Sequence, residues 1–236
     1  MEAVERRPGV VPDRHLLDHP AVPYIVPFAA FLFLLAIQEW VPLPQTVEFG
    51  ARLVLLAAIL CIFSRSAIDL GMSNPVGSIA VGLAVFALWV LPDALFPGYR
   101  RHWLLHNPIV GAVSTSLRSG SAGDPLALVF RSVRAIAIVP LVEELFWRGW
   151  LMRWLVGSDF RKVPLGAYSA RAVWIVALLF AAEHGPYWDV GLAAGLIYNL
   201  WMCRVKRLGD LIWAHAITNA ALCAYVLYTH KWEFWL

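Results

Sequence analysis

The sequence predicts an all-α protein, a polytopic transmembrane helical bundle with about 7–8 spans. Of its 236 residues, 60% are hydrophobic and only 15% are charged. A soluble domain usually carries about 25% charged residues, so most of this surface is expected to face lipid. Apolar runs also recur along the whole chain, and most come close to the length of about 20 residues that a spanning helix needs.

Seven apolar runs mark the predicted spans. No linker divides them, so residues 1–236 are expected to form one membrane domain. Pro23 and Pro27 restrict the opening turns of the first run. The second, fifth and sixth runs are short, which leaves room for an eighth element, and residues 93–125 form a polar connection rich in Gly, Ser and Pro. The predicted spans are residues 22–41, 49–63, 76–92, 126–152, 171–186, 189–203 and 209–229.

Basic residues orient the chain, because cytoplasmic loops carry more Lys and Arg than loops on the other side of a membrane. A cytoplasmic N-terminus places eleven basic residues inside and five outside. No small-residue cleavage site follows the first apolar run, so we expect it to remain as an uncleaved anchor. The inside set is Arg6, Arg7, Arg14, Arg65, Arg153, Arg161, Lys162, Arg171, Arg204, Lys206 and Arg207, and the outside set is Arg52, Arg100, Arg101, Arg118 and Lys231.

Net charge and cysteine content point to no further partner. The net charge of +3 is modest, so nucleic-acid binding is not expected. The three cysteines lie in separate apolar runs, an odd number without the spacing of a disulfide framework or a metal site. Membrane lipid is therefore the partner that composition predicts.

Ionisable residues inside predicted spans are candidates for function, because each costs about 3 kcal/mol or more to place in lipid. The fourth run contains the adjacent Glu143 and Glu144, followed by Arg148. Glu144 and Arg148 share one helical face, so Arg148 can pair with Glu144 and keep it ionised. Glu143 points about 100° away and is expected to face a cavity, where it could take a proton from water. The alternative is an ion pair that only holds helices together near the cytoplasmic interface.

A second motif closes the fifth run. Phe180 and His184 are four residues apart on one face, and Gly185 and Pro186 end the helix directly afterwards. Glu183 is expected to point elsewhere and to orient His184 or a loop. A lone histidine at such a position is also typical of a residue at the membrane interface.

The seventh run supplies a third motif, His215 and Asn219, again four residues apart. Two such side chains on an apolar helix need polar partners. They could donate hydrogen bonds to a developing oxyanion, or they could form polar contacts between helices. At about 1.5 Å per residue, counted from the cytoplasmic ends, the three motifs reach overlapping depths, with His184 the deepest.

The three motifs together resemble the CPBP family (CAAX-protease and bacteriocin-processing, also called Abi), which are intramembrane glutamic endopeptidases. The family pattern is E-E-x-x-x-R, then F-x-x-x-H, then H-x-x-x-N, on three separate spans. The resemblance covers residues 126–229, which would form the catalytic core, and the chain is also similar to the CAAX-protease-related proteins found beside exosortase systems. The matching residues are Glu143, Glu144 and Arg148, then Phe180 and His184, then His215 and Asn219.

The resemblance implies peptide-bond hydrolysis without a metal or other cofactor. Glu143 and His184 would activate the attacking water, and His215 with Asn219 would stabilise the oxyanion. The substrate would be a hydrophobic or membrane-anchored peptide, cut near a C-terminus, and it need not be prenylated. The residues that would support the site are Glu144, Arg148 and Phe180.

Three other functions are compatible with the same residues. Glu143, His184 and His215 could bind zinc as a two-histidine, one-carboxylate site of a metal-dependent peptidase, although the H-E-x-x-H helix motif is missing. A non-catalytic immunity or scaffold protein could retain the fold without the chemistry. A transporter could relay protons through clustered Glu and His, but no inverted repeat supports that function.

Overall fold

The computed structural model describes residues 18–118 and 120–235, and within them it is helical and contains no strand. Arg6, Arg7 and Arg14, which are predicted to lie on the cytoplasmic side, are outside the described residues. The long helices are α1 (Val22–Ala36), α2 (Gln45–Ile59, extended by a π turn over Leu60–Ser64), α3 (Pro75–Leu95), α4 (Pro125–Trp154), α5 (Ala170–Ala182), α6 (Trp188–Val205) and α7 (Leu208–Thr229).

Four of these helices are long and apolar enough to cross a membrane: α2 with its π turn, α3, α4 and α7. Helices α1 and α5 are apolar but shorter. Helix α6 has 18 residues, and the polar Asp189, Asn199 and Arg204 lower its hydropathy. The all-helical prediction is therefore confirmed, whereas the predicted count of seven to eight spans is not.

The distribution of apolar side chains fits a lipid solvent. Only 28% of the most apolar window of α2 is buried inside the molecule. Phe33, Val54, Ile62 and Val76 are each more than half exposed, which would be costly in water over so much of the surface. The polar side chains instead turn inward, towards the other helices.

Helix α4 departs from α geometry at two places that frame Glu143 and Glu144. Residues Arg134–Ile138 and Leu145–Leu151 adopt π turns. The first precedes Pro140, which has no N–H and whose ring crowds the preceding turn of a regular α-helix. Such single-turn π segments are frequent at functional sites.

Small residues let the helices approach closely around the future site. Gly82 of α3 lies against the Ala214 carbonyl and the Ile217 side chain of α7, so that an added Cβ would clash there. Gly195 of α6 lies close to Ala177 of α5, where an added Cβ would come within 3.1 Å of the Ala177 Cα. Close backbone contact through small residues is a common way to associate helices in lipid.

Asp210 ties the first turn of α7 to the first turn of α3. Its carboxylate accepts hydrogen bonds from the backbone N–H groups of Ser73 and Asn74 at 2.7 Å, and from the Ser73 and Ser78 hydroxyls. This satisfies donors that a helix start leaves unpaired. It also fixes the register in which α7 presents its polar residues.

Candidate active site

Glu144 is fully buried, and its partners explain why. Arg148 NH1 donates to both Glu144 carboxylate oxygens, at 3.2 and 3.1 Å. This is the predicted pair four residues apart on one helix. His215 Nδ1 contacts the same Glu144 Oε1 at 2.7 Å, a contact between α4 and α7 that the sequence did not predict. Glu144 therefore joins two of the three motifs directly.

Arg148 extends this network to α6. Its Nε donates to Asn199 Oδ1 at 2.8 Å and its NH2 donates to the Gly195 carbonyl at 3.4 Å. Asn199 Nδ2 in turn donates to the Val173 carbonyl of α5 at 2.8 Å. Arg148 thus connects α4 with α6 and, through Asn199, with α5. Asn199 was missed as a site residue because a single asparagine in an apolar run carries no motif.

Glu143 lies beside this network without joining it. Its side chain faces a cavity, as predicted. Its Oε2 atom is buried and has no hydrogen-bond partner among the residues that the structure describes. An unsatisfied buried carboxylate oxygen is energetically costly. Glu143 Oε2 lies where a water molecule or a substrate group could donate a hydrogen bond to it.

His184 is held by its own helix. Its Nδ1 lies 2.6 Å from the Phe180 carbonyl oxygen. A carbonyl can only accept, so Nδ1 carries the proton and Nε2 is left as an acceptor in the neutral ring. The imidazole packs against the Phe180 ring at 4.7 Å and against Trp89 of α3 at 5.1 Å, between ring centroids.

The turn after His184 is anchored by a buried arginine. Gly185 has a positive φ of 51°, which glycine adopts without a steric cost. Arg100 NH1 donates to the Pro186 carbonyl at 2.8 Å and also pairs with Asp189, and its Nε pairs with Asp93 at 2.9 Å. These bonds fix the segment that follows His184 against the end of α3.

Asn219 occupies a position that Pro140 creates. In the π turn of α4 the Val139 N–H bonds the Arg134 carbonyl, five residues back. The same register would pair the Ala135 carbonyl with residue 140, which is a proline and has no N–H. Asn219 Nδ2 donates to that Ala135 carbonyl at 2.8 Å. The amide orientation is thereby fixed, and its second N–H remains available to the cavity.

One cavity of about 350 Å³ is lined by residues of all three motifs. Its wall includes Glu143, His184, His215 and Asn219. Glu183, expected to point elsewhere, lines the same cavity and accepts a hydrogen bond from Trp147 Nε1 at 3.2 Å. That expectation was wrong, because Glu183 and His184 line the same cavity at the end of α5.

The described residues contain no preformed set of metal ligands. No group of three or more His, Cys, Asp and Glu side chains in the described part of the chain is arranged to hold a metal ion. His215 Nδ1 contacts Glu144, and His184 Nδ1 is bonded to a carbonyl. A zinc ion would therefore have to use the Nε2 atoms of both rings after a change in their arrangement.

The apolar helices, and the buried ionisable residues that line the cavity between them, indicate an integral membrane protein with a polar site. Residues 125–221, less than half of the chain, match the family model described as "Type II CAAX prenyl endopeptidase Rce1-like". This segment is therefore similar to the family of CAAX peptidases that the three motifs resemble. No match was found among curated proteins or among solved structures.

Proposed function

We propose that this protein is an intramembrane endopeptidase in which Glu143 and His184 activate a water molecule. The observation that carries the proposal is the unpartnered Glu143 Oε2, buried in a cavity that His184 also lines. The two acceptors, Glu143 Oε2 and His184 Nε2, suit a water molecule that must lose a proton as it attacks.

The reaction would run as a single addition followed by an elimination. The water oxygen forms a bond to the carbonyl carbon of the scissile peptide, and one water proton passes to Glu143. The carbonyl oxygen becomes an oxyanion. The proton is then delivered to the leaving nitrogen as the C–N bond breaks, which yields a carboxylic acid and an amine.

His215 and Asn219 are suited to stabilise that oxyanion. Glu144 holds the His215 ring through Nδ1, and the opposite edge of that ring could donate a hydrogen bond to the oxyanion from the cavity wall. Asn219 has one amide N–H occupied by Ala135 and a second one free. Donors held in fixed positions are effective because they need no reorganisation as charge develops.

Loss of either oxyanion donor should slow turnover more than it weakens binding. For His215→Ala and Asn219→Ala we expect kcat to fall by about 10²- to 10³-fold, the usual effect of one oxyanion-hole donor. KM should change much less, because the oxyanion exists only after attack. Steady-state kinetics on purified protein measure the split, with the exposed His106 as a control in His106→Ala. A rise in KM with unchanged kcat would contradict the oxyanion role.

Metal dependence can be decided by chelation. We expect full activity after exhaustive dialysis against a strong chelator, with less than one zinc ion per ten molecules, because no metal takes part in the proposed step. Elemental analysis and activity should be measured on the same sample. Loss of activity that added zinc restores would favour the zinc site of Glu143, His184 and His215.

The substrate is proposed to be a hydrophobic or membrane-anchored peptide. Apolar side chains, including Phe31, Leu35 and Leu222, line the cavity beside the polar residues. We also propose the bacterial inner membrane as its location, with a cytoplasmic N-terminus. In that orientation Glu143 lies near the middle of α4, about 15 Å from the cytoplasmic Arg153.

Comparative proteomics of peptide termini tests the proposal in cells. Membranes that contain wild-type protein should yield new C-termini and N-termini that are missing from cells with Glu143→Gln. Identical sets of termini, with both proteins inserted at equal levels, would favour a non-catalytic scaffold.

A further inference from the structure

Glu183 is a second carboxylic acid in the cavity that contains Glu143, and the proposed water activation does not use it. It directly follows the last residue of α5 and precedes His184. Its Oε1 accepts a hydrogen bond from Trp147 Nε1 at 3.2 Å. Trp147 lies four residues beyond Glu143 on α4 and is only 5% exposed. The buried indole therefore holds Glu183 against the part of α4 that carries Glu143.

Glu183 makes no ion pair with any residue that the structure describes. Arg148 pairs with Glu144 instead. His184 is neutral, because its Nδ1 donates to a backbone carbonyl and its Nε2 is left as an acceptor. Glu143 and Glu183 repel each other when both are ionised. The cavity therefore contains two carboxyl groups and no cation that is paired with either of them.

The depth of Glu183 favours a neutral carboxylic acid. Glu183 follows Arg171, near the start of α5, by twelve residues, which is about 18 Å along a helix. The hydrocarbon core of a bilayer is about 30 Å thick, so the exposed Glu183 is surrounded there by lipid and the cavity. An ionised carboxylate is costly at that depth, and two interacting carboxyl groups titrate as a pair that can hold one proton between them. Glu183 can thus supply a proton where Glu143 accepts one.

We propose that Glu183 is the general acid that protonates the leaving nitrogen of the scissile peptide. This inference rests on the proposed function and deepens it, because it divides the two proton transfers between two carboxyl groups. Glu143 takes one proton from the attacking water as the C–O bond forms. The Glu183 carboxylic acid then gives its proton to the nitrogen as the C–N bond breaks, and the electrons of that bond stay on nitrogen. Proton transfer from Glu143 to the Glu183 carboxylate restores both groups, so each cycle adds one water across one peptide bond.

The leaving group of the substrate tests this role. The probes are acetyl-Leu-Val-Ala p-nitroanilide and the matching p-nitrophenyl ester, with purified full-length protein in detergent. The anilide nitrogen must be protonated as it leaves, whereas nitrophenolate leaves as a stable anion. In Glu183→Gln we expect anilide turnover to fall at least about 10²-fold, the usual contribution of general acid catalysis, and ester turnover to change by less than about twofold. Equal losses on both substrates, or an anilide rate equal to that of wild type, would overturn the proposal.

Further variants separate proton delivery from a structural role. Glutamine can still accept the hydrogen bond from Trp147, so Glu183→Gln should unfold at the wild-type temperature. Glu183→Asp keeps an acid and should recover part of the anilide turnover. Glu143→Gln should lose both substrates, because water attack precedes the loss of either leaving group. Glu39→Gln, at an exposed position, should change neither rate.

A cellular experiment covers substrates that the two probes do not resemble. The new peptide termini expected from wild-type protein should be missing from cells with Glu183→Gln. Their presence at wild-type levels, with both proteins inserted equally, would overturn the inference.

The outcomes distinguish this inference from the proposed function. If wild-type protein hydrolyses neither probe and produces no new termini in cells, the proposed function fails. If Glu143→Gln is inactive while Glu183→Gln retains anilide hydrolysis, only the role of Glu183 fails, and Glu143 delivers the proton itself.

Discussion

Replacing Glu143 with glutamine should reduce peptide hydrolysis by about 10³-fold and leave the protein at least as stable as wild type. Glutamine keeps the size of the side chain but cannot take a proton from water. Glu143 Oε2 has no hydrogen-bond partner among the described residues, so the substitution breaks no bond at that atom. It also removes an unpaired carboxylate from a buried position, which should raise the melting temperature or leave it unchanged.

The measurement combines turnover of a hydrophobic peptide with thermal unfolding of the same purified sample. Glu39→Gln is the matched control, because it makes the same substitution at an exposed position in the connection after α1. Wild-type turnover in Glu143→Gln would remove Glu143 from the mechanism. A large fall in stability together with activity would show that Glu143 holds the fold instead.

Replacing Arg148 with alanine should have the opposite pattern, a loss of stability of about 3–5 kcal/mol. Arg148 donates to Glu144, Asn199 and Gly195 within a fully buried network. Alanine would leave the Glu144 carboxylate buried with His215 as its remaining partner. For a protein of this size the expected drop in melting temperature is about 10 °C or more.

Thermal unfolding monitored by size-exclusion chromatography in detergent measures this loss. Arg148→Lys should fall between wild type and alanine, because lysine can pair with Glu144 but cannot also make the planar contacts of a guanidinium. Arg161→Ala, at an exposed loop position, should not change stability measurably. Unchanged stability and activity in Arg148→Ala would contradict the role assigned to this ion pair.

The two neighbouring glutamates show which structural features the sequence motif alone could predict. The spacing of Glu144 and Arg148 predicted their pairing, and the structure confirms that contact. It also predicted that Glu143 would face a cavity, which the structure contains. The catalytic roles of Glu143, His184, His215 and Asn219 remain predictions that the experiments above decide.

Contacts between distant segments could not be predicted in the same way. Asn199 and Ala135 carry no pattern, yet Arg148 and Asn219 bond to them. Both bonds depend on how helices pack, and the second also depends on a carbonyl that Pro140 leaves without its donor.

The sequence by itself determined the helical membrane class, the approximate helix positions and the candidate site residues. Composition and helical periodicity are local properties of the chain, so they can be obtained without the fold. The tertiary structure alone decided that His215 contacts Glu144, that the Ala135 carbonyl accepts from Asn219, and that residues of all three motifs line one cavity. Those outcomes depend on crossing angles, π turns and close contacts at glycines, which are set by packing between segments far apart in the chain.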